Sequence, residues 1–318
     1  MERSRFRADM NHAQLCTTLL GNGSYARDEA PYKLLEVDGP EAGEFLQRLC
    51  SQDVLGLVDG GVLPAAFLDA KGKLLVTAMV TRRGQAIWLE TQVEQAARLL
   101  ELLERYHFSE KLTIHSRDFG SVHEHIAGNG SQSFVGECHW SEQAAGPVIH
   151  VERRGVAFTR CHGGKIVEQE VDGAGVDTAV TPQPLSEELA AAARMLAGLV
   201  RVGVETEAST LALEADLDDH CSTTKGCYTG QEIVARIHTY GQVNRKLCLL
   251  SLVPGDAIAA PVQLVEPEDE IPVGRVMHAV PLKEHGMRLG LGYLPKDFQE
   301  VGTALLLEDG SAVTVVGF

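Results

Sequence analysis

Eight consecutive residues, 225–232, combine a thiol, two glycines, an amide and a carboxylate, a mixture found nowhere else in the chain. Packing alone rarely requires these residue types together. Gly226 and Gly230 allow backbone conformations and close approaches that a side chain would block, so the stretch predicts a tight turn. We therefore expect the thiol of Cys227 to be displayed rather than buried. The stretch reads Lys225, Gly226, Cys227, Tyr228, Thr229, Gly230, Gln231 and Glu232.

A short helix is expected directly after this turn. Thr229 and Glu232 have the spacing of a capping box, in which the hydroxyl accepts from a backbone N–H and the carboxylate reaches back to the cap. Ile233 and Ile237 lie on the apolar side of the helix. The helix should end near Gly241, because glycine is the preferred residue just past a helix C-terminus.

The first third of the chain predicts helices packed on one face of a mainly antiparallel sheet, from a β-α-β-β-β-α-β order of elements. Apolar residues recur with a helical period in two segments and alternate in the others. The predicted elements are a strand at 32–37, a helix whose first turn contains Pro40, a hairpin over 65–81 with its turn at Lys71-Gly72, a strand at 87–90, a helix over 96–103 after a capping box of Thr91 and Glu94, and a strand at 111–115.

Two segments lie between this region and the turn. Ser186 is a candidate N-cap for a helix whose apolar residues share one face. Between 205 and 219 the chain carries six acidic residues and no basic one, and we expect most of them to form a solvated loop. These residues are Glu205, Glu207, Glu214, Asp216, Asp218 and Asp219.

Past Lys246 the pattern changes to short strands without a helical period, which is typical of a small barrel. Asp309-Gly310 is a hairpin turn signal inside the last of these strands. The predicted strands lie at 247–253, 262–265, 273–280, 288–294 and 304–316.

The charge balance argues against a nucleic-acid-binding protein. The chain has 28 basic and 44 acidic residues, a net charge of −16, which opposes broad attraction to nucleic acid. No apolar run approaches the roughly 20 residues needed to span a bilayer, and the N-terminal residues lack the apolar core of a secretory signal. We expect a soluble, cytoplasmic protein with no membrane and no direct nucleic-acid partner.

The cysteines predict neither a disulfide framework nor a metal site. There are seven, an odd number, and none forms a C-x-x-C pair. The residues that could gather around zinc have a spacing that matches no metal template. They are Cys138-His139, Cys161-His162, His123 and His125.

Residues 225–247, KGCYTGQEIVARIHTYGQVNRKL, resemble the signature of the YgfZ-type folate-binding proteins, which are related to the glycine-cleavage-system T-protein. A weaker likeness extends to 35–80 and 196–214. The resemblance implies an α+β, three-lobed architecture, with two α+β lobes around a central folate pocket in residues 1–244 and a C-terminal β-barrel in residues 245–318. The 225–232 turn should lie at the edge of the pocket.

The resemblance also implies binding residues for tetrahydrofolate or a derivative. The positions that flank the pterin ring in the family match Tyr32 and Met195. Where the family has a glutamate after the helix that begins near Ser186, this chain has Arg201. The remaining candidates, for the carboxylates of the folate tail or for capping the acidic segment, are Lys225, Arg236 and Arg245.

Three functions remain open on these grounds. The first is a YgfZ-like accessory protein that uses folate and Cys227 in assembly or repair of iron–sulfur clusters, with iron–sulfur proteins or assembly factors as partners and indirect support of tRNA-modifying enzymes. The second is a folate-dependent one-carbon transferase with a rearranged catalytic acid. The third is a scaffold that has lost folate. Aminomethyl transfer is not expected, because residues 72–77 lack the acid that the T-protein carries there.

Cys227 is the candidate functional thiol. Lys225 and the start of the following helix both carry positive charge that favours the thiolate, the form that binds iron or exchanges with another sulfur. One thiol cannot hold a cluster alone. In this chain Cys221 is the nearest candidate for a second ligand.

Overall fold

The computed structural model describes residues 10–21, 23–128, 135–141, 145–163, 182–241 and 243–318. In these ranges the chain is α+β, with two sheets that carry helices and a closed C-terminal barrel. No helix among them is long and apolar enough to cross a bilayer. The helices are α1 (His12–Leu19), α2 (Ala42–Leu49), α3 (Val93–Tyr106), α4 (Glu187–Leu196) and α5 (Gln231–Tyr240).

The strands follow in chain order and are grouped below by sheet. They are β1 (Ser24–Arg27), β2 (Tyr32–Asp38), β3 (Val62–Leu68), β4 (Leu74–Arg83), β5 (Ala86–Gln92), β6 (Thr113–Arg117), β7 (Val122–Gly128), β8 (Val135–Ser141), β9 (Gly146–Arg153), β10 (Val156–His162), β11 (Gln183–Pro184), β12 (Arg245–Leu252), β13 (Val262–Val265), β14 (Pro272–Leu282), β15 (Met287–Pro295), β16 (Ala304–Leu307) and β17 (Ala312–Gly317).

The first lobe is a five-stranded antiparallel sheet in the order β3-β4-β5-β2-β6. Helices α2 and α3 pack on the same face of it, because Phe45 and Leu99 share one core with strand residues such as Val76. The opposite face, which includes Leu34 and Trp88, belongs to another core. Alternating strand residues therefore serve two layers, and the predicted order of elements with helices on one face is confirmed.

The starts of α2 and α3 differ from the prediction. Helix α2 begins at Ala42 with Glu41 as its N-cap, so Pro40 precedes the helix. Helix α3 begins at Val93, and no side chain caps it. The hydroxyl of Thr91 donates instead to the carbonyl oxygen of Thr77 at 2.8 Å. The predicted capping box was wrong because a contact with the neighbouring β4 takes the hydroxyl.

The second lobe is a six-stranded sheet in the order β11-β1-β7-β10-β9-β8. Only the β1–β11 pair among these described strands is parallel. Helices α1 and α4 cover its inner face, where Leu15, Phe158 and Leu196 share one core. The hydroxyl of Ser186 accepts from the backbone N–H of Leu189 at 3.1 Å, so the predicted cap of α4 is confirmed.

The C-terminal strands form a closed barrel in the order β12-β15-β14-β13-β16-β17, as predicted. Its interior is a separate core that includes Leu250, Val276 and Leu305. The Asp309-Gly310 turn separates β16 from β17, and the Asp309 carboxylate accepts from the backbone N–H of Ser311 at 2.8 Å.

Five of the six acidic residues between 205 and 219 form ion pairs and Asp218 is exposed, so the prediction that most of them form a solvated loop was wrong. Glu205 is fully buried, with Arg194 at 2.6 Å and His278 at 2.8 Å. The basic partners come from the second lobe and from the barrel, so the run ties the two together. The other pairs are Glu207 with Arg245 and Arg275, Glu214 with Arg245, Asp216 with Arg154 and Lys246, and Asp219 with Arg153.

Candidate functional site

The 225–232 turn is held tightly against the turn that precedes β4. Gly230 has φ +82°, and a Cβ atom there would lie 2.6 Å from the carbonyl oxygen of Asp69. Gly72 has φ +74°, and a Cβ atom there would lie 2.7 Å from the Cβ of Ile233. A residue with a side chain could not accept contacts this short, and it would rarely adopt this left-handed backbone conformation. The two glycines therefore allow the two turns to interlock.

Helix α5 begins at Gln231 with Gly230 as its N-cap, and no side chain caps it. The capping box predicted for Thr229 and Glu232 was therefore wrong. The backbone N–H of Thr229 donates to the carbonyl oxygen of Arg48 at 3.2 Å, a contact with α2 of the first lobe. At the other end Gly241, with φ +90°, terminates the helix as predicted.

Cys227 is exposed, as the turn predicted. All seven cysteines lie in the described ranges, and the other six are buried or half-buried. Cys221 is buried, and burial raises the pKa of its thiol to about 12. A thiol that stays protonated near neutral pH is a poor metal ligand. The structure thus disagrees with the prediction that Cys221 supplies a second ligand.

The three predicted basic ligands of the folate tail have different positions. The Lys225 ammonium is buried and donates to the carbonyl oxygens of Cys50 at 2.9 Å and Gln52 at 2.7 Å. Burial lowers the pKa of Lys225. Arg245 pairs with two glutamates of the acidic run, which is the alternative role that the sequence left open. Arg236 is exposed on α5. Lys225 and Arg245 thus have partners within the chain, and Arg236 remains a prediction.

Tyr32 lies between the two lobes and lines two neighbouring cavities. The smaller one has a volume of about 40 Å³ and is lined on the first-lobe side by Thr77 and Thr91. The larger one is a groove of about 230 Å³, which Arg201 also lines. The guanidinium carbon of Arg160 lies 4.4 Å from the centre of the Tyr32 ring. Burial raises the pKa of Tyr32 to about 12, so the phenol stays neutral. The predicted position of Tyr32 between the lobes agrees with these cavities.

Arg201 and Met195 lie differently with respect to these cavities. The guanidinium of Arg201 pairs with Glu94 on α3 at 3.2 Å, across the groove between the lobes. Met195 is fully buried in the core with α1 and the second sheet, and it lines neither cavity. The prediction that Met195 forms the pocket wall is corrected, because helix α4 turns this side chain into the core.

A buried ion cluster adjoins the small cavity, which two of its members, Glu90 and Arg160, line. Glu90, on β5, accepts from Nε and Nη2 of Arg160 at 2.8 and 2.6 Å, and from Nε2 of His162 at 2.6 Å. All three side chains are buried. Burial alone would raise the pKa of Glu90, but the Arg160 charge and the His162 hydrogen bond lower it to about 2. A charged cluster of this kind links the first lobe to β10 of the second.

Sequence reasoning missed this cluster, although β10 carries a signal for it. Arg160 and His162 alternate with apolar residues, so they share a face with Phe158 in a strand that is buried throughout. Charged side chains at inward positions of such a strand require buried partners. The partner, Glu90, lies 70 residues earlier in the chain.

Residues 72–77 lie next to the small cavity but contain no acidic residue. Val76 is buried in the first-lobe core, and Thr77 lines the small cavity next to Tyr32. The strand thus reaches the cavity without supplying a carboxylate. An acid at this point would be required to orient an amine-bearing substrate.

Two larger cavities lie away from these residues. One of about 410 Å³ lies between the start of α4 and the end of β14, and one of about 340 Å³ lies between the end of α5 and the barrel. Neither contains a residue that the sequence singled out for ligand binding. Across the described ranges, no group of three or more His, Cys, Asp or Glu side chains could hold a metal ion.

Comparisons with known proteins connect these features to characterised relatives. No family model matches the chain. The tRNA-modifying protein YgfZ of Klebsiella pneumoniae is 29% identical over 228 residues, which is 69% of each chain. An iron–sulfur cluster assembly factor of Phaeosphaeria nodorum, a mitochondrial IBA57 homologue, is 26% identical over 242 residues, which is 72% of this chain and 56% of that protein.

The fold is similar to that of a solved enzyme. The aminomethyltransferase T of the glycine cleavage system from Bartonella henselae aligns with a TM-score of 0.71 and 18% sequence identity. The alignment covers 96% of this chain and 88% of that one. At this identity the match concerns the fold alone, and it agrees with the two lobes and the barrel described above.

Proposed function

We propose that this chain is a folate-binding accessory protein in iron–sulfur cluster assembly or repair. Its relatives and its fold support a YgfZ-type, T-protein-like family. Two kinds of relative motivate this: one named for tRNA modification and one named for cluster assembly. A protein that supports iron–sulfur enzymes, including those that modify tRNA, accounts for both names. Its partners are then iron–sulfur proteins or their assembly factors.

The observation that carries the proposal is the exposure of Cys227. It is the one exposed thiol of seven, on a turn that contacts α2 through Thr229 and the β4 turn through Gly230. A rigidly presented thiol suits transient contact with a cluster, a persulfide or a client thiol. Because one thiol cannot hold a cluster, the remaining ligands come from the partner.

The chemistry of the cavities between the lobes supports folate as the ligand. Tyr32 offers an aromatic surface, and the groove and small cavity that share it are bounded by polar side chains. One buried nitrogen of Arg160 has no hydrogen-bond partner among the described residues, which is a feature of sites that receive a polar group. Glu94, half-exposed at the groove, pairs with Arg201, and breaking this pair would free its carboxylate to accept N–H groups of a ligand.

The one-carbon transferase is the second candidate, and the similarity to an aminomethyltransferase fold keeps it open. Against it stands Thr77, which reaches the cavity where the T-protein carries an acid. Turnover of methylene-tetrahydrofolate by the purified protein would favour this candidate. Absence of tetrahydrofolate binding in isothermal titration would favour the scaffold instead.

The central experiment is complementation by Cys227→Ser in a strain lacking the protein. We expect the variant to fold, since the change removes little volume from an exposed turn, and to fail to restore iron–sulfur enzyme activity and tRNA thiolation. Cys138→Ser, at a half-buried position, is the matched control and should complement. Full complementation by Cys227→Ser would contradict the proposal, as would a Cys227 that resists alkylation until the protein is unfolded.

The compartment remains a proposal. We propose the cytoplasm, as the sequence predicted, although the IBA57 homologues are named as mitochondrial. Fractionation of the source cells with an antibody against the protein checks it, and recovery in an organelle would contradict it.

A further inference from the structure

The buried guanidinium of Arg160 is only partly satisfied. Its Nε and Nη2 donate to Glu90 at 2.8 and 2.6 Å. Its Nη1 has no hydrogen-bond partner in the described part of the chain, and the carboxylate of Glu124 lies 3.6 Å away. The side chain is 1% exposed. A buried charged donor without a hydrogen-bond partner is costly, and a water, an ion or a ligand at Nη1 would supply the partner.

Arg160 lines the small cavity beside Tyr32. A volume of about 40 Å³ accommodates a water molecule or the edge of a ligand, but not a whole heterocycle. The groove of about 230 Å³ shares Tyr32 and Gln92 with this cavity. A planar ligand in the groove can therefore place one edge in the cavity when these shared side chains adjust.

Three other polar groups around the cavity have partners in the described residues. Glu90 binds Arg160 and His162, and the Thr91 hydroxyl donates to Thr77. His220, which also lines the cavity, is paired with Asp219 through Nδ1 at 2.8 Å. What remains unused at Arg160 is a donor. At this point of the cavity the unused donor of Arg160 therefore favours a hydrogen-bond acceptor.

The charges around Arg160 favour a neutral acceptor over an anion. Arg160 and Arg27 are balanced by Glu90 and Glu124, since Glu124 also pairs with Arg27 at 2.7 Å. An added carboxylate or phosphate would leave an excess negative charge in a buried space, which is strongly unfavourable. A carbonyl oxygen of a cyclic amide accepts from a guanidinium without adding charge.

We propose that Nη1 of Arg160 donates a hydrogen bond to the ring carbonyl oxygen of a planar cyclic-amide heterocycle that lies against Tyr32, and that this contact sets ligand specificity. The inference rests on the proposed folate function and assigns one edge of the ligand. The pterin ring of folate carries such a carbonyl. Recognition then depends on a donor in this chain, and a carboxylate at position 201 is not needed for it.

The test compares two ligands by isothermal titration: folic acid and aminopterin, which differ in whether the pterin ring carries the oxo group or an amino group in its place. The amino group of aminopterin is a hydrogen-bond donor and cannot accept from Nη1 of Arg160. Wild-type protein should therefore bind folic acid at least about tenfold more tightly than aminopterin. In Arg160→Lys this preference should fall to less than about threefold, since lysine keeps a charge near Glu90 but loses Nη1. Arg288→Lys, at a buried barrel arginine bonded to Val253, should keep the wild-type preference.

The outcomes separate this inference from the proposed function. Equal binding of both ligands by wild-type protein overturns the assignment of Arg160 and leaves folate binding intact, with an internal water only at Nη1. Binding of neither ligand, nor of tetrahydrofolate, overturns the proposed folate function and this inference with it. The wild-type comparison stands alone if Arg160→Lys fails to fold, which a thermal melt of each variant would reveal.

Discussion

Gly230→Ala is expected to destabilise the protein more than any other single-methyl addition in the 225–232 turn. The residue has φ +82°, and the new Cβ would lie 2.6 Å from the carbonyl oxygen of Asp69. The same carbonyl oxygen accepts a hydrogen bond from the backbone N–H of Gly72 at 3.0 Å, so it is fixed within the turn that precedes β4. Relief therefore requires that the two interlocked turns separate.

The magnitude follows from two terms. A left-handed conformation costs a residue with a side chain about 1–2 kcal/mol relative to glycine. Overpacking against fixed backbone adds about 1–3 kcal/mol. A total of about 2–5 kcal/mol corresponds to a fall in apparent Tm of roughly 3–8 °C for a chain of this size. Differential scanning calorimetry of Gly230→Ala and wild-type protein measures it directly.

The matched control is Gly226→Ala in the same turn. Gly226 is not among the residues with positive φ, and a Cβ atom there meets nothing within 4 Å. Its Tm should stay within about 1 °C of wild type, since surface changes away from special backbone cost little. If Gly230→Ala melted as late as Gly226→Ala, the interlocking of the two turns would have no energetic weight and the reasoning would be refuted.

Three further predictions concern the site. Glu90 has a folded-state pKa of about 2, below its ordinary value, so the stabilisation that its charge provides is present above about pH 4.5 and is lost as the pH falls toward 2. The Glu90→Gln variant should therefore be about 3–5 kcal/mol less stable than wild type at pH 7, with a smaller difference in acid. Urea titrations that showed the same difference in unfolding free energy at pH 7 and near pH 2 would contradict this. In the native protein only one thiol, that of Cys227, should react rapidly with iodoacetamide, because the other cysteines are buried or half-buried and burial raises the pKa of thiols such as Cys221. This rapid reaction should be absent in Cys227→Ser. Mass spectra that showed rapid labelling of several cysteines would contradict the prediction. Arg201→Glu removes the ion pair with Glu94 and adds a carboxylate at the groove, so it should tighten tetrahydrofolate binding relative to Arg201→Gln. Equal affinities of the two variants would mean that position 201 does not correspond to the family's glutamate.

Local chemistry was readable from the sequence where it acts over a few residues. Ser186 caps α4, Gly241 ends α5 and the Asp309-Gly310 turn separates β16 from β17. The barrel followed from short strands without a helical period. The exposure of Cys227 followed from the turn residues on either side of it. In each case the groups that decide the outcome are within about five positions of one another.

Only the tertiary structure decided the roles of charged and hydroxyl side chains, because their partners lie far away in the chain. The Thr91 hydroxyl has the spacing of a cap but bonds to β4. Lys225 stands two residues from Cys227, yet its ammonium binds carbonyl oxygens some 170 positions earlier. Glu90 meets Arg160 only when the two lobes pack together. A polar group removed from water must find a partner wherever the fold brings one, and sequence spacing carries no information about a partner that arrives from another lobe.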